Sequence, residues 1–185
     1  MRIIAGRHRG RRLAAPTGPT ARPTADRARQ ALFNILAHTD LVELEGAVVM
    51  DAFAGTGALG LEALSRGAAH AVFMDNNGGS LAAIHANIAM LGEQARATVL
   101  SADAATPPKA SRPCTLALLD PPYHSGLVGP CLEGLARQGW LTPDALAVVE
   151  VASAEPFTPP AGFATVDERV YGAARLVFVQ ATTSP

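Results

Sequence analysis

The sequence predicts a doubly wound α/β fold, Rossmann-like, and three observations predict it. Short apolar runs of strand length, at residues 47–50, 71–74, 97–100, 116–119 and 145–151, alternate with longer stretches of helical character. An acid follows most of these runs: Asp51, Asp75 and Asp120 directly, and Asp103 a little further on. A glycine loop, Gly55-Thr56-Gly57-Ala58-Leu59-Gly60, lies between the first run and the first helix of the repeat. Alternation of this kind requires a parallel sheet with right-handed crossovers, and such sheets bind ligands at the carboxyl ends of their strands. The rhythm breaks near the C-terminus, where residues 163–170 and 175–181 read as strands joined by Tyr171-Gly172-Ala173. So short a connection permits only an antiparallel pair. The expected sheet has seven strands, five parallel and a closing hairpin.

The helices follow from their punctuation. One runs from the glycine loop to about Arg66 and is ended by Gly67; the next spans roughly residues 80–91 and stops at Gly92; a third covers about 127–137. At 185 residues and 19.1 kDa the chain is large enough for one well-filled domain and a small appendage. No apolar run approaches the ~20 residues a bilayer demands, and no apolar stretch follows the N-terminal arginines as a secretory signal would need. Cys114 and Cys131 form no CxxC pair and match no zinc spacing, so free thiols in a reducing cytoplasm are expected. The histidines show no ligand spacing, and no metal is expected.

Charge divides the chain sharply. Residues 1–36 hold eight arginines (Arg2, Arg7, Arg9, Arg11, Arg12, Arg22, Arg27, Arg29) and one acid, Asp26, whereas the remainder carries seven bases against fifteen acids. One end is therefore suited to a polyanion and the body is not. Arginine alone supplies the bases there, which favours bidentate contacts to phosphates and base edges. Residues 1–16 read as a hairpin turning near Arg9-Gly10, anchored by Ile3, Ile4 and Leu13; a frayed basic tail is the alternative. Residues 17–23 are a linker, and a helix capped by Thr24 then runs to Leu36, with Ala28, Leu32, Phe33, Ile35 and Leu36 at helical spacing. The expected division is a basic nucleic-acid-binding segment at 1–36 and a catalytic domain at 37–185.

The loop matches GxGxxG, and Asp75 lies twenty residues beyond Gly55, where it can hold a ribose hydroxyl pair. A nicotinamide dinucleotide satisfies those two facts, but Asp51 opposes it. A carboxylate just before the loop would face a pyrophosphate, at a cost of ~4 kcal/mol for like charges 4 Å apart at an effective dielectric of 20. A ligand with an ammonium and a sulfonium but no phosphate reverses the sign, and S-adenosylmethionine is such a ligand. Asp51 then attracts its cationic end, and the backbone of Phe53, Ala54, Gly55 and Gly57 lies close to it. Asp75, with Asn76 beside it, takes the ribose, and Asp103, with Ala104, meets the adenine. Asp120-Pro121-Pro122-Tyr123 completes the rim. A carboxylate, acceptor-only backbone and a flat ring suit a planar group that carries an amine.

The segments DAFAGTGALGLEALSRGAA (51–69), Asp75 and DPPY (120–123) resemble class I methyltransferases that act on exocyclic amines. With RIIAG (2–6), RPTADRARQALFN (22–34) and RVYG (169–172), the chain resembles the bacterial 16S rRNA guanine-N2 methyltransferase family over about residues 2–180. The resemblance implies a seven-stranded Rossmann-like core, S-adenosylmethionine as donor, and 16S rRNA of the small ribosomal subunit as substrate, engaged by the N-terminal arginines. A monomer is expected, because the basic patch must stay open. Two positions depart from the family: Asn77 stands where many members carry a second acid, and His124-Ser125-Gly126 follows DPPY where many carry a base. By this reading Asp120 and the Pro121 carbonyl orient the guanine amine and Tyr123 stacks on the base. Three alternatives stand beside it: an N6-adenine DNA methyltransferase, a non-catalytic RNA-binding module, and a nicotinamide-dependent oxidoreductase.

Overall fold

The structure is a computed structural model that describes residues 1–15 and 23–182. Its elements run α1 (Pro23–Leu36), β1 (Val48–Ala52), α2 (Ala58–Ser65), β2 (His70–Asp75), α3 (Gly78–Leu91), β3 (Ala97–Ser101), β4 (Cys114–Leu119), α4 (Val128–Arg137), β5 (Leu141–Ala152), β6 (Phe163–Tyr171) and β7 (Ala174–Ala181). The strands make one sheet in the order β3-β2-β1-β4-β5-β7-β6. The first five are parallel, and β7 pairs antiparallel with both β5 and β6. The closing hairpin was expected, but its insertion was not: the second strand of the pair lies inside, against β5, and the first is left at the edge. Burial explains the order, because β7 is the apolar member (Leu176, Val177, Phe178 and Val179 are all buried) while β6 is mostly exposed.

Each central strand is apolar on both faces, and alternation divides those side chains between two cores. Val49, Phe73, Leu116, Leu118, Val148 and Phe178 pack against α1, α2 and α3. Met50, Val72, Met74, Ala117, Leu119, Val149 and Val179 pack against α4, Trp140 and Phe163. Leu32, Phe33 and Leu36 of α1 are buried in the first of these cores. At ~1.5–3 kcal/mol per buried large side chain, that apolar face, not helix propensity, anchors α1 to the sheet. The residues described within 1–36 thus contribute to the same core as the rest of the sheet.

The helix begins at Pro23, so Thr24 falls inside its first turn instead of capping it. Proline suits that first position because its missing N–H would have had no partner there. The N-terminal hairpin is also reduced. Its two arms form one antiparallel bridge, Arg2 with Arg12, held by hydrogen bonds from Ile3 N to Arg11 O, Gly10 N to Ile3 O and Leu13 N to Met1 O, and a 3₁₀ turn over Gly6–His8 fills the space between. It is nevertheless folded and not a frayed tail. Ile3 and Leu13 are buried as expected, while Ile4 is half-exposed.

Three buried polar side chains dock this segment. Glu62 of α2 accepts from Ile4 N and Ala5 N and from Arg66 Nε, at 2.7, 3.0 and 2.7 Å. Glu93, just past α3, receives Arg7, His8 and Arg96. Asn87 of α3 accepts from Ala14 N and donates to Ala14 O and to Thr56 O. Among the described residues no helix is long and apolar enough to cross a membrane.

Candidate active site

The site is built at the carboxyl edge of the parallel strands. Asp51 ends β1 and is 1% exposed; its Oδ2 accepts from Gly60 N at 2.8 Å. Burial drives its pKa well above the ordinary carboxylate range, the Gly60 N–H opposes this, and the charges of Asp120 and Asp75 add to the rise. Asp75 ends β2, where its two oxygens accept from Gly55 N and Asn77 N, each at 2.8 Å. The same acid therefore shapes the glycine loop from below. Asp103 is exposed beyond β3, its Oδ1 accepting from Ala105 N at 2.9 Å, while Ala104 behind it is buried. Asn76 is exposed beside Asp75. Asn77, where the family often has an acid, caps α3 by accepting from Ser80 N.

The glycine loop has the backbone that its residue types predict. Gly55 and Gly57 take φ of +57° and +77°, values open to glycine at no cost. Gly60 has a different role: a Cβ there would sit 2.4 Å from Phe73 Cε1, so its missing side chain lets α2 lie on β2. Phe53 holds φ of +64° without being glycine, a strained conformation of the kind that collects at ligand sites. Ala54, next along, is buried and donates its N–H to Met74 O.

Asp120 stands beyond β4 in an open recess, ringed by protein but reachable by solvent. Its limited hydration first, and the charge of Glu150 second, raise its pKa to about 7. Water entering the open cleft tempers that rise. Pro121 is buried behind it, and the Pro122 carbonyl accepts from Ser125 N in a turn. Tyr123 is half-buried and donates its hydroxyl to Glu150 Oε1 at 2.7 Å. Residue alternation gives Asp51, Asp75, Asp120 and Glu150 the parity of Phe73, Leu118 and Val148, so all four belong to one side of the sheet. Among the described residues, none of these acids pairs with a lysine or arginine. A cationic ligand is what such a cluster complements.

Two participants escaped the sequence reading. Glu150 lies inside β5, two residues before its end at Ala152, and an acid within a long apolar strand has no motif around it. Glu155 ties down the loop after Tyr123, its Oε2 accepting from His124 N and Ala152 N. That loop carries the departure His124, whose φ is +58° and whose ring is exposed.

The arginines separate by role. Arg2, Arg9, Arg12 and Arg27 are exposed; Arg7 and Arg11 are exposed too, but reach Glu93 and the Met90 carbonyl respectively. Arg29 is 5% exposed and donates to Arg2 O at 2.7 Å, which makes it a tie within the fold and removes it from the outward basic patch. Arg22 lies outside the described residues.

Similarity to known proteins agrees with this geometry. The profile of a family described as "Conserved hypothetical protein 95" matches residues 1–180. Ribosomal RNA small subunit methyltransferase D of Escherichia coli (strain K12) is 38% identical over 175 residues, covering 93% of this chain and 85% of the relative. Its namesake in Haemophilus influenzae is 33% identical over 176 residues, covering 93% and 89%. The solved structure of yhhF from Escherichia coli superposes with a TM-score of 0.84 at 35% identity, over 100% of this chain and 99% of that one. Matched from the N-terminal segment through β7 and carrying its acids on the rim where that fold binds ligands, the chain belongs to the Conserved hypothetical protein 95 family of methyltransferases.

Proposed function

We propose that the protein transfers a methyl group from S-adenosylmethionine to the exocyclic N2 amine of a guanine in 16S rRNA of the small ribosomal subunit. One observation carries the reading: a row of acids at the strand ends, without lysine or arginine partners among the described residues, runs from the glycine loop to the DPPY tetrad. The residues fit the donor. Asp51 places a buried carboxyl beside the loop whose charged form a cationic ligand would favour, Gly55 and Gly57 allow close backbone approach, and Asp75 is held in place by two backbone N–H groups while retaining acceptor capacity. Phe53, Ala54, Asn76, Asp103 and Ala104 line the same edge. When bound, the donor supplies an electrophilic methyl group on a sulfonium.

The remaining work falls to the acceptor half. Asp120 and the Pro121 carbonyl accept the two amine hydrogens, which turns the nitrogen lone pair out of conjugation and towards the methyl group. Once methylated, the amine nitrogen would be strongly acidic, and Asp120 would take its proton. A carboxylate whose pKa lies near neutrality is well matched to that acceptance. Tyr123 offers a face for the base, worth ~1–3 kcal/mol per stacked base. The exposed arginines Arg2, Arg9, Arg12 and Arg27, with Arg7 and Arg11, hold the RNA backbone. We place this activity in the cytoplasm and in a monomer, whose N-terminal patch must stay open to RNA.

The test is direct. Protein and labelled S-adenosylmethionine are incubated with unmethylated small subunits, naked rRNA and duplex DNA, and the modified nucleoside is identified. N2-methylguanosine from subunits or rRNA is the expected product. N6-methyladenosine from DNA would move the function to the DNA alternative, and no incorporation into any substrate would remove the catalytic reading.

A further inference from the structure

We infer that Glu150 is a positioning residue of the acceptor pocket, fixing the Tyr123 ring through its hydroxyl and setting the electrostatic environment in which Asp120 accepts a proton. The inference rests on the methyl-transfer reading above and adds to it a residue that belongs to none of the motifs. Its first support is geometric. Tyr123 and Glu150 are 27 residues apart in sequence, yet the phenol donates to Oε1 at 2.7 Å. A tyrosine after two prolines leaves the sheet on a stiff backbone, but its own χ torsions stay free unless something holds the far end of the ring. Glu150 supplies that hold from β5, the rigid strand next to β4.

Its second support is register. Leu119 pairs with Val149, so the next residues, Asp120 and Glu150, emerge side by side from neighbouring strands on the same side of the sheet. Two carboxylates so placed each disfavour the other's charge. Burial raises the pKa of Glu150, and the Tyr123 hydroxyl opposes that rise by bonding the charged form. The hydroxyl therefore does two things at once: it orients a stacking surface and favours the charged form of the carboxyl next to the proton acceptor. A purely structural glutamate would need neither an aromatic partner from the DPPY tetrad nor an acid as its neighbour.

The two roles separate by substitution. Glu150→Gln keeps an oxygen that can accept from the phenol but removes the charge, so KM for the subunit should hold within about twofold. Asp120 would then ionise more readily, and the acidic limb of the kcat–pH profile should move to lower pH by ~0.5–1 unit, the scale of a water-screened like-charge neighbour. Tyr123→Phe keeps the ring and Glu150 but loses the hold on the ring, so KM should rise ~3–10-fold, corresponding to the ~1 kcal/mol scale of a net hydrogen bond, at the same donor affinity. Thermal unfolding and S-adenosylmethionine binding by calorimetry, run on every variant, register any general damage. A Glu150→Gln profile superimposable on that of the parent protein overturns the electrostatic role, and an unchanged KM in Tyr123→Phe overturns the positional one. If the parent protein itself methylates no guanine, the methyl-transfer reading has failed and these variants are not needed to show it.

Discussion

Asp51 and Asp120 are both acids at strand ends with raised pKa values, and their surroundings assign them different work. Asp51 is sealed, its charge opposed by burial and by two neighbouring aspartates. In the unfolded chain it would ionise at ~3.9; above that pH the unfolded state releases the proton more readily than the folded one, so its charge at neutral pH costs stability. Asp51→Asn should therefore raise the melting temperature of the ligand-free protein by a few degrees at pH 7.5. The same change should weaken S-adenosylmethionine binding at least ~10-fold, the scale of a lost charge-assisted contact; calorimetry and a thermal melt read both. Asp120 is open to solvent, and its raised pKa places its ionisation near neutrality. Turnover should accordingly climb as pH rises through about 7. Asp120→Asn should lower kcat by ~10²–10⁴-fold, the usual contribution of a general base, with donor affinity unchanged. Asp51, Asp75 and Asp120 were legible in the sequence because each follows an apolar run directly. Glu150 and Glu155 were not, because their partners Tyr123 and His124 come from a different loop and no local spacing relates them.

Among the elements, legibility followed periodicity. Strands and helices with a clear apolar run or glycine stop emerged at nearly the expected residues, Gly92 ending α3 at φ of +72°. The place of β7 was hidden, since hairpin chemistry sets which strands pair but not which one faces β5. The N-terminal segment was hidden for another reason: its order comes from Glu62, Asn87 and Glu93, side chains 57 or more residues away from their partners in the segment. Gly6 is the point where this docking is tightest. It takes φ of +77°, and a Cβ there would lie 1.9 Å from the Ser65 carbonyl oxygen on α2. Gly6→Ala cannot be absorbed by a side-chain rotation, so the 3₁₀ turn must lift from α2. The expected outcome is faster hydrogen exchange at Ile4, Ala5 and His8, whose N–H groups bond Glu62 and Ser65. Rates in β1 and β4 should stay unchanged, and RNA affinity should fall while donor affinity holds.

At the scale of the whole molecule, the charge division now has a spatial meaning. The acidic body forms the candidate site's rim, which does not attract a phosphate backbone, and the arginine-bearing segment is fastened to α2 and α3 beside the glycine loop, Asn87 touching both Ala14 and Thr56. RNA attraction must then come from a small number of exposed guanidinium groups acting against a negative background. Such binding releases counterions in proportion to the phosphates neutralised, and log K falls with log salt at ~0.7 per contact for single strands and ~0.9 for duplex. Arg9 and Arg12 are exposed and make no ion pair among the described residues, whereas Arg7 is already engaged with Glu93 and Arg29 is buried. Arg9→Ala and Arg12→Ala should each flatten the salt dependence of rRNA binding by ~0.7–0.9, and their effects should add. Arg7→Ala should flatten it less and lower the melting temperature more, because Glu93 keeps its charge in a buried setting with one partner fewer. Filter binding across a salt series, with melts of the same three proteins, distinguishes arginines that meet RNA from arginines that hold the arm in place. Slopes equal to that of the parent protein in all three would mean that the RNA is gripped elsewhere.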